Sequence, residues 1–211
     1  MSQIKLLHSG GNGVIISAPD SNPASDRTLK LPSDADGTIL TTNSSVGKIL
    51  QLLSTVKTDQ QSFTISNSGQ YGSTLGTISN FSQSITIANS SHQVLVQGFV
   101  SLGSSYSGNT SIGVSLERGG AQISGAIGDA DGSRKRQMYS AHVPSGARGA
   151  TPFYFSFLDT PSSGTHTYTI ELEHLYAAVG TIYVNRGNSS DNNIYNTVGI
   201  SVMTVMEYDP T

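Results

Sequence analysis

The chain is predicted to be all-β: an antiparallel β-sandwich preceded by a segment of β-hairpins. Short apolar runs recur from residue 63 onward at the spacing typical of a sandwich. Loops rich in Gly, Ser and Asn separate these runs. Only 12% of the residues are charged, and 23 glycines with many Ser, Thr, Asn and Gln residues favour strands and turns over solvated helices.

The first hairpin is predicted near the N-terminus. Residues 4–8 and 14–18 are short apolar runs, and the second of them contains Val14 and Ile16. The intervening Gly10-Gly11-Asn12-Gly13 is a loop that glycine and asparagine fill at low conformational cost. A hairpin this small buries too little apolar surface to offset the ordering of its backbone, roughly 1–2 kcal/mol per residue. It therefore needs a partner surface.

A second hairpin is predicted between Arg27 and Thr42. The Asp36-Gly37 dipeptide is one of those that best accept the two positive φ angles of a type I′ turn, and leucine and β-branched residues flank it. We expect the apolar side chains of both hairpins to be shielded from water only when copies of the same chain pack against them. Identical copies should therefore assemble through the hairpins. The residues expected to carry this assembly are Val14, Ile16, Leu29, Leu31, Asp36, Gly37 and Ile39.

A linker rich in Thr, Asn, Ser and Gly over residues 41–47 separates the hairpins from the body of the chain. The next residues, 46–56, support two interpretations. Val46, Ile49, Leu53 and Val56 follow an a/d pattern that favours a short helix or coiled-coil turn, whereas the apolar residues of 49–53 equally fit a first core strand. The predicted domains are a hairpin segment at 1–47 and a sandwich at 48–211.

Eight or nine strands are predicted in the sandwich. The run 166–173 alternates apolar and polar residues, as in a sheet wetted on one face. The runs 94–100 and 202–206 instead carry apolar residues on both faces, so we expect the core to cover one face and a neighbouring subunit the other. The predicted strands are residues 62–66, 84–88, 93–102, 111–117, 136–143, 152–158, 166–173, 180–185 and 200–208.

The longest polar loop, residues 186–196, is too polar to pack a core. Long loops on a rigid sandwich are where binding specificity usually resides. Asn188, Asp191, Asn192 and Tyr195 are therefore candidates for receptor binding, and disorder of the loop is the alternative.

Motifs for catalysis or cofactor binding are missing from the sequence. There is no cysteine for a thiolate zinc site, no G-x-S-x-G elbow and no P-loop, and no two of the five histidines have metal-ligand spacing. Two D-A-D-G segments, 34–37 and 129–132, lack the later carboxylates of a calcium loop and predict turns. Glu171 and Glu173 share a strand face and could form an acid pair, or simply a solvated face. We expect no catalytic residue, no cofactor, no metal and no enzymatic activity.

Charge and hydropathy exclude two classes of partner. A net charge of −3 and a pI near 5.9 provide no electropositive field for nucleic acid or an anionic bilayer, and the basic cluster at 134–136 is short. No window approaches the roughly 18 apolar residues of a membrane span, and no signal peptide is recognisable near Met1. We therefore expect synthesis in the cytoplasm, no membrane insertion and no nucleic-acid binding.

Several segments resemble a known family. GGNGVIISAP at 10–19, RTLKLPSDADGTILTT at 27–42 and GKILQ at 47–51 resemble the attachment segment of tail-fibre and related virion proteins of tailed bacteriophages, particularly those infecting marine bacteria and cyanobacteria. GDADGSR, FSFLDTPSSGTHTY, TIYVNR and VMTVMEY, all after residue 127, look like the β-sandwich often found behind that segment. Together these motifs cover most of the chain.

The resemblance implies a homotrimeric fibre in the virion. Its N-terminal segments would interlace and bind other virion proteins of the tail or baseplate, and a jelly-roll head would be exposed to bind a glycan or protein of the host surface. The chain is short for a fibre, which leaves open a head or tail decoration protein without a receptor role. A carbohydrate-binding module is a further alternative.

Overall fold

The computed structural model describes residues 3–7, 9–11, 13–17, 47–66, 71–105, 110–143, 148–176, 179–188 and 191–210. Within these residues the protein is all-β, as predicted: it has thirteen strands, one short 3-10 helix at Ser124–Ala126, and no α-helix. The chain divides into two compact units, Met1–Ser44 and Ser45–Thr211.

The first unit contains two short antiparallel strands, β1 (Gln3–Leu7) and β2 (Gly13–Ser17). Their register runs from Gln3 opposite Ser17 to Leu7 opposite Gly13. Gly11, between the strands, has a φ of +91°, a conformation that glycine adopts without steric cost. Val14 and Ile16 lie in β2.

The other predicted assembly residues, and with them the second hairpin, lie outside the described residues; they are Leu29, Leu31, Asp36, Gly37 and Ile39.

Eleven strands are described in the second unit. They are β3 (Lys48–Lys57), β4 (Gln61–Ile65), β5 (Ser73–Ile87), β6 (Gln93–Ser104), β7 (Thr110–Arg118), β8 (Ala121–Gln122), β9 (Tyr139–Val143), β10 (Thr151–Asp159), β11 (Gly164–Tyr176), β12 (Gly180–Val184) and β13 (Ser201–Asp209). The predicted runs correspond to β4–β7 and β9–β13, but β5 begins well before the predicted start at Ser84. Its first half is rich in Ser, Thr and Gly and is held by pairing with β11, a long-range interaction that local sequence does not reveal.

Residues 48–57 form a strand rather than a helix. β3 pairs antiparallel with β13 along almost its whole length, from Lys48 opposite Asp209 to Lys57 opposite Ser201. Leu53 packs against the core from this strand, whereas Ile49 and Val56 are exposed. The a/d spacing therefore does not mark one buried helical face.

Two antiparallel sheets form the sandwich. The first sheet has the order β3-β13-β6-β12-β4, with β10 paired to the opposite edge of β6. The second sheet has the order β5-β11-β7-β8, with β9 also paired to β7. The inward side chains of both sheets form one hydrophobic core, which includes Val96 and Val205 of the first sheet and Leu116 and Ile170 of the second.

A buried polar network joins four segments at one end of the first sheet. Asn185, with a φ of +64°, donates hydrogen bonds from Nδ2 to the carbonyl oxygens of Lys57 and Asp59, each at 2.9 Å. Its Oδ1 accepts a hydrogen bond from Ser201 Oγ at 2.7 Å. The fully buried Lys57 ammonium donates to Asp59 Oδ2 at 2.7 Å and to the Ser79 carbonyl at 2.9 Å. This network fixes the point where the loop after β12 leaves the sandwich.

A candidate interaction surface

The outer face of the first sheet carries three cross-strand rows of side chains, which we call together the apolar face. Four adjacent strands, β3, β13, β6 and β10, contribute one residue each to every row. The first row is Leu52, Met206, Leu95 and Leu158; the middle row is Ser54, Thr204, Gln97 and Ser156; the third row is Val56, Val202, Phe99 and Tyr154.

Strand alternation produces this face. In β6 the side chains of Val94, Val96 and Val100 are fully buried in the core, so Leu95 and Phe99 between them point outward. In β10 the same alternation turns Phe155 inward and leaves Tyr154 exposed. The prediction that residues 94–100 and 202–206 are apolar on both faces is therefore confirmed.

Large apolar side chains on the face are exposed to an unusual degree. Tyr154 is 74% exposed and Leu52 is 62% exposed, and Val56 and Leu158 are exposed as well. The Phe99 and Tyr154 rings pack with centroids 5.7 Å apart, beside a shallow depression of about 280 Å³ that Gln97 and Thr204 also line. None of the twelve residues of the three rows is charged. Apolar side chains grouped in this way on the outer face of a sheet mark an interaction site.

The outer face of the second sheet has the opposite character. Its exposed positions on β5 and β11 are largely hydroxyl side chains that bond across the strands: Ser84 Oγ lies 2.7 Å from Thr167 Oγ1, and Thr86 Oγ1 lies 2.9 Å from Thr165 Oγ1. Such a face is compatible with water. The contrast within one domain shows that the apolar face is not a general property of its surface.

The predicted receptor-binding residues lie on the loop after β12, and the structure brings only two of them into one cleft. Asp191 and Asn192 are exposed and line a polar cleft of about 240 Å³. Asn188 is half-buried and outside this lining, and Tyr195 is exposed with the Arg148 guanidinium 5.3 Å from its ring centroid. The other residues of the cleft are Gln60, Arg186, Asn193, Asn196, Thr197 and Val198.

Arg186 is a cleft residue that the sequence analysis missed. Its guanidinium lies 3.6 Å from the centroid of the Tyr183 ring, close enough for a cation–π interaction. Side-chain amides and backbone bonds shape the rest of the loop: Asn196 Nδ2 donates to the Asp191 carbonyl at 3.0 Å, and Asn193 Oδ1 accepts from the Tyr195 amide at 3.1 Å. The cleft therefore offers a cation, a carboxylate and several amides, all of which can bind hydroxyl groups.

Glu171 and Glu173 lie on one strand but differ in environment, so they do not form a solvated face: Glu171 is half-buried and Glu173 is buried. Glu173 is buried, with Lys135 Nζ at 2.8 Å from its Oε1 and Gln137 Nε2 bonded to its Oε2. The pKa of Glu171 is raised, first because its carboxyl is partly buried and second because the Glu117 and Glu173 carboxylates lie nearby. The basic segment 134–136 thus serves in part to cover the outer face of the second sheet, and Glu173 is held in an ion pair.

Among the described residues, no group of three or more His, Asp or Glu side chains is placed to hold a metal ion. The same part of the chain contains no helix long and apolar enough to cross a membrane. No model of a known protein family matches the chain, and no curated protein matches it.

Proposed function

We propose that the protein is a non-enzymatic structural protein of a bacteriophage virion: a short, homotrimeric tail fibre with a jelly-roll-like head. In this proposal the segment 1–47 attaches the fibre to virion proteins of the tail or baseplate. The sandwich is exposed and binds the host surface. The resemblance of the N-terminal motifs to phage attachment segments supports the proposed location in a bacteriophage virion.

The observation that carries the proposal of self-assembly is the apolar face. Exposed leucine, valine and tyrosine side chains on β3 and β10, with half-buried apolar side chains on β13 and β6 between them, are unfavourable in water, since burial of apolar surface contributes roughly 25 cal/mol per Å². A stable oligomer would remove this surface from water in every copy. Low charge content throughout the chain also suits a protein that is densely packed with copies of itself.

A role in host attachment is supported by the polar cleft after β12. Its amide, carboxylate and guanidinium groups are suited to the hydroxyl groups of a host-surface glycan, and Asp191 and Asn192 are among the residues that line it. The same chemistry supports the second candidate function, a carbohydrate-binding module. A decoration protein of the head or tail would need the assembly surface but not the cleft.

Gel filtration with light scattering on the full chain tests the oligomeric part of the proposal. A mass of about three times 22.1 kDa, or a multiple of that mass, is expected at micromolar concentration. A compact monomer would refute the fibre.

Deletion of residues 1–47 separates the two candidate functions. A fibre without this segment should lose attachment to phage particles in a sedimentation assay, whereas a carbohydrate-binding module should remain folded and retain glycan binding. Attachment that survives the deletion would exclude the proposed role of the N-terminal segment.

A further inference from the structure

The middle row of the apolar face is polar and lies between two apolar rows. Gln97, Ser54, Thr204 and Ser156 occupy adjacent positions across the four strands. Ser54 Oγ lies 3.4 Å from Thr204 Oγ1. The side-chain amide of Gln97 is exposed, and within the described part of the chain it makes no hydrogen bond. Gln97 thus presents two donors and an acceptor outward from the middle of an apolar surface.

The face is large enough to hold a partner. Four strands about 4.8 Å apart, each with about 3.3 Å of rise per residue, give a surface of roughly 20 by 25 Å when the side chains at its edges are included. That is about 500 Å² in projection, and the accessible area of a corrugated surface is larger. A specific interface buries about 800 Å² per partner, which is of the same order.

The chemistry of the face favours a second copy of this chain as the partner. Without a charged side chain in any of its rows, the face cannot select an acidic or basic partner by charge. The order of its rows, apolar then polar then apolar, is the same from either end of the strands. Two such faces can therefore meet with apolar rows on apolar rows and the polar row on its counterpart.

We propose that the apolar face packs against the same face of a second copy of this chain, and that Gln97 sets the register by hydrogen bonding to the middle row of that copy. The inference rests on the proposed self-assembly and adds a two-fold contact to it: two identical faces that pack on each other join copies in pairs, so this contact links copies from two trimers. A register shifted by one row would place the Gln97 amide against Leu or Phe side chains, and burial of an unpaired amide is costly. The apolar rows supply affinity, and the polar row makes one alignment better than its neighbours.

Opposite charges at position 97 test this arrangement. Gln97 and Thr204 are cross-strand partners, and such Cα atoms lie about 5 Å apart. Whichever of the two residues faces Gln97 of the second copy, charges introduced at position 97 would lie within about 10 Å of each other. Gln97→Glu and Gln97→Lys should each weaken association at least tenfold at low ionic strength, and an equimolar mixture of the two should recover it.

The control is Thr86→Glu, on the exposed outer face of the second sheet, which should associate as the unsubstituted chain does. The measurement is sedimentation velocity of full-length chains over a range of concentrations and salt, with circular dichroism to verify that each variant is folded. Since Gln97 is exposed, both substitutions should leave the sandwich folded. Lowering the pH below the glutamate pKa should also restore association of the Gln97→Glu variant.

The outcomes distinguish this inference from the proposed function. If the unsubstituted chain is oligomeric and both variants keep its mass and affinity, the apolar face is not the interface, but the self-assembly proposal stands. If both variants dissociate and their mixture does not recover, the two copies of position 97 do not meet and the proposed register is wrong. If the unsubstituted chain is monomeric, both proposals fail.

Discussion

Replacement of Asn185 by glycine is expected to destabilise the sandwich by about 3 kcal/mol. The side chain makes three hydrogen bonds: two donated to the carbonyl oxygens of Lys57 and Asp59, and one accepted from Ser201. Each is worth about 1 kcal/mol net, and their loss leaves buried groups without partners. Glycine adopts the φ of +64° at this position without strain, so the change adds no backbone strain to the loss of the hydrogen bonds.

Alanine at the same position should cost about 0.5–1 kcal/mol more than glycine. A residue with a Cβ pays about 1–2 kcal/mol in the left-handed region, which exceeds the roughly 0.4–1 kcal/mol that alanine saves by restricting the unfolded chain. A loss of 1 kcal/mol lowers the Tm of a domain of this size by roughly 2–4 °C, so Asn185→Gly should lower it by about 6–12 °C.

Scanning calorimetry at one fixed protein concentration measures these changes without interference from self-association. Asn192→Gly is the matched control, because Asn192 is exposed on the loop that Asn185 anchors, and its Tm should change by less than about 2 °C. If Asn185→Gly is as harmless as the control, the polar network does not stabilise the fold. If alanine proves more stable than glycine, the backbone argument is wrong.

Two further predictions concern single groups on the second sheet. The raised pKa of Glu171 means that the native state retains the carboxyl proton to a higher pH than the unfolded chain does. The free energy of unfolding therefore falls as the pH rises from the pKa that Glu171 has in the unfolded chain toward the pKa that it has in the folded protein. Glu171→Gln should therefore raise the Tm at pH 7 and leave it nearly unchanged at pH 4; an equal shift at both pH values would contradict the assignment. The buried Tyr139 hydroxyl has no hydrogen-bond partner among the described residues, and burial raises its pKa. Tyr139→Phe should leave stability unchanged or increase it by about 1 kcal/mol in denaturant unfolding, and a loss above that size would reveal a partner for the hydroxyl.

The sequence alone determined the all-β class and most of the strands, because side chains alternate between the two faces of a strand with a period of two. The same rule placed Tyr168, Ile170 and Leu172 in the core, where they are fully buried. It also identified the strands around Val96 and Val205 as apolar on both faces. These are properties of neighbouring residues, and local sequence records them directly.

Only the tertiary structure decided which strands lie side by side. The middle row of the apolar face joins Ser54, Gln97, Ser156 and Thr204, which are far apart in the chain and meet through three strand pairings. Burial of Glu173 beneath Lys135, and of Lys57 beside the Ser79 carbonyl, likewise depends on segments that pack from elsewhere. Strand pairing and register follow from the fit of whole sheets around one core, so a surface made from four strands becomes visible only after the chain has folded.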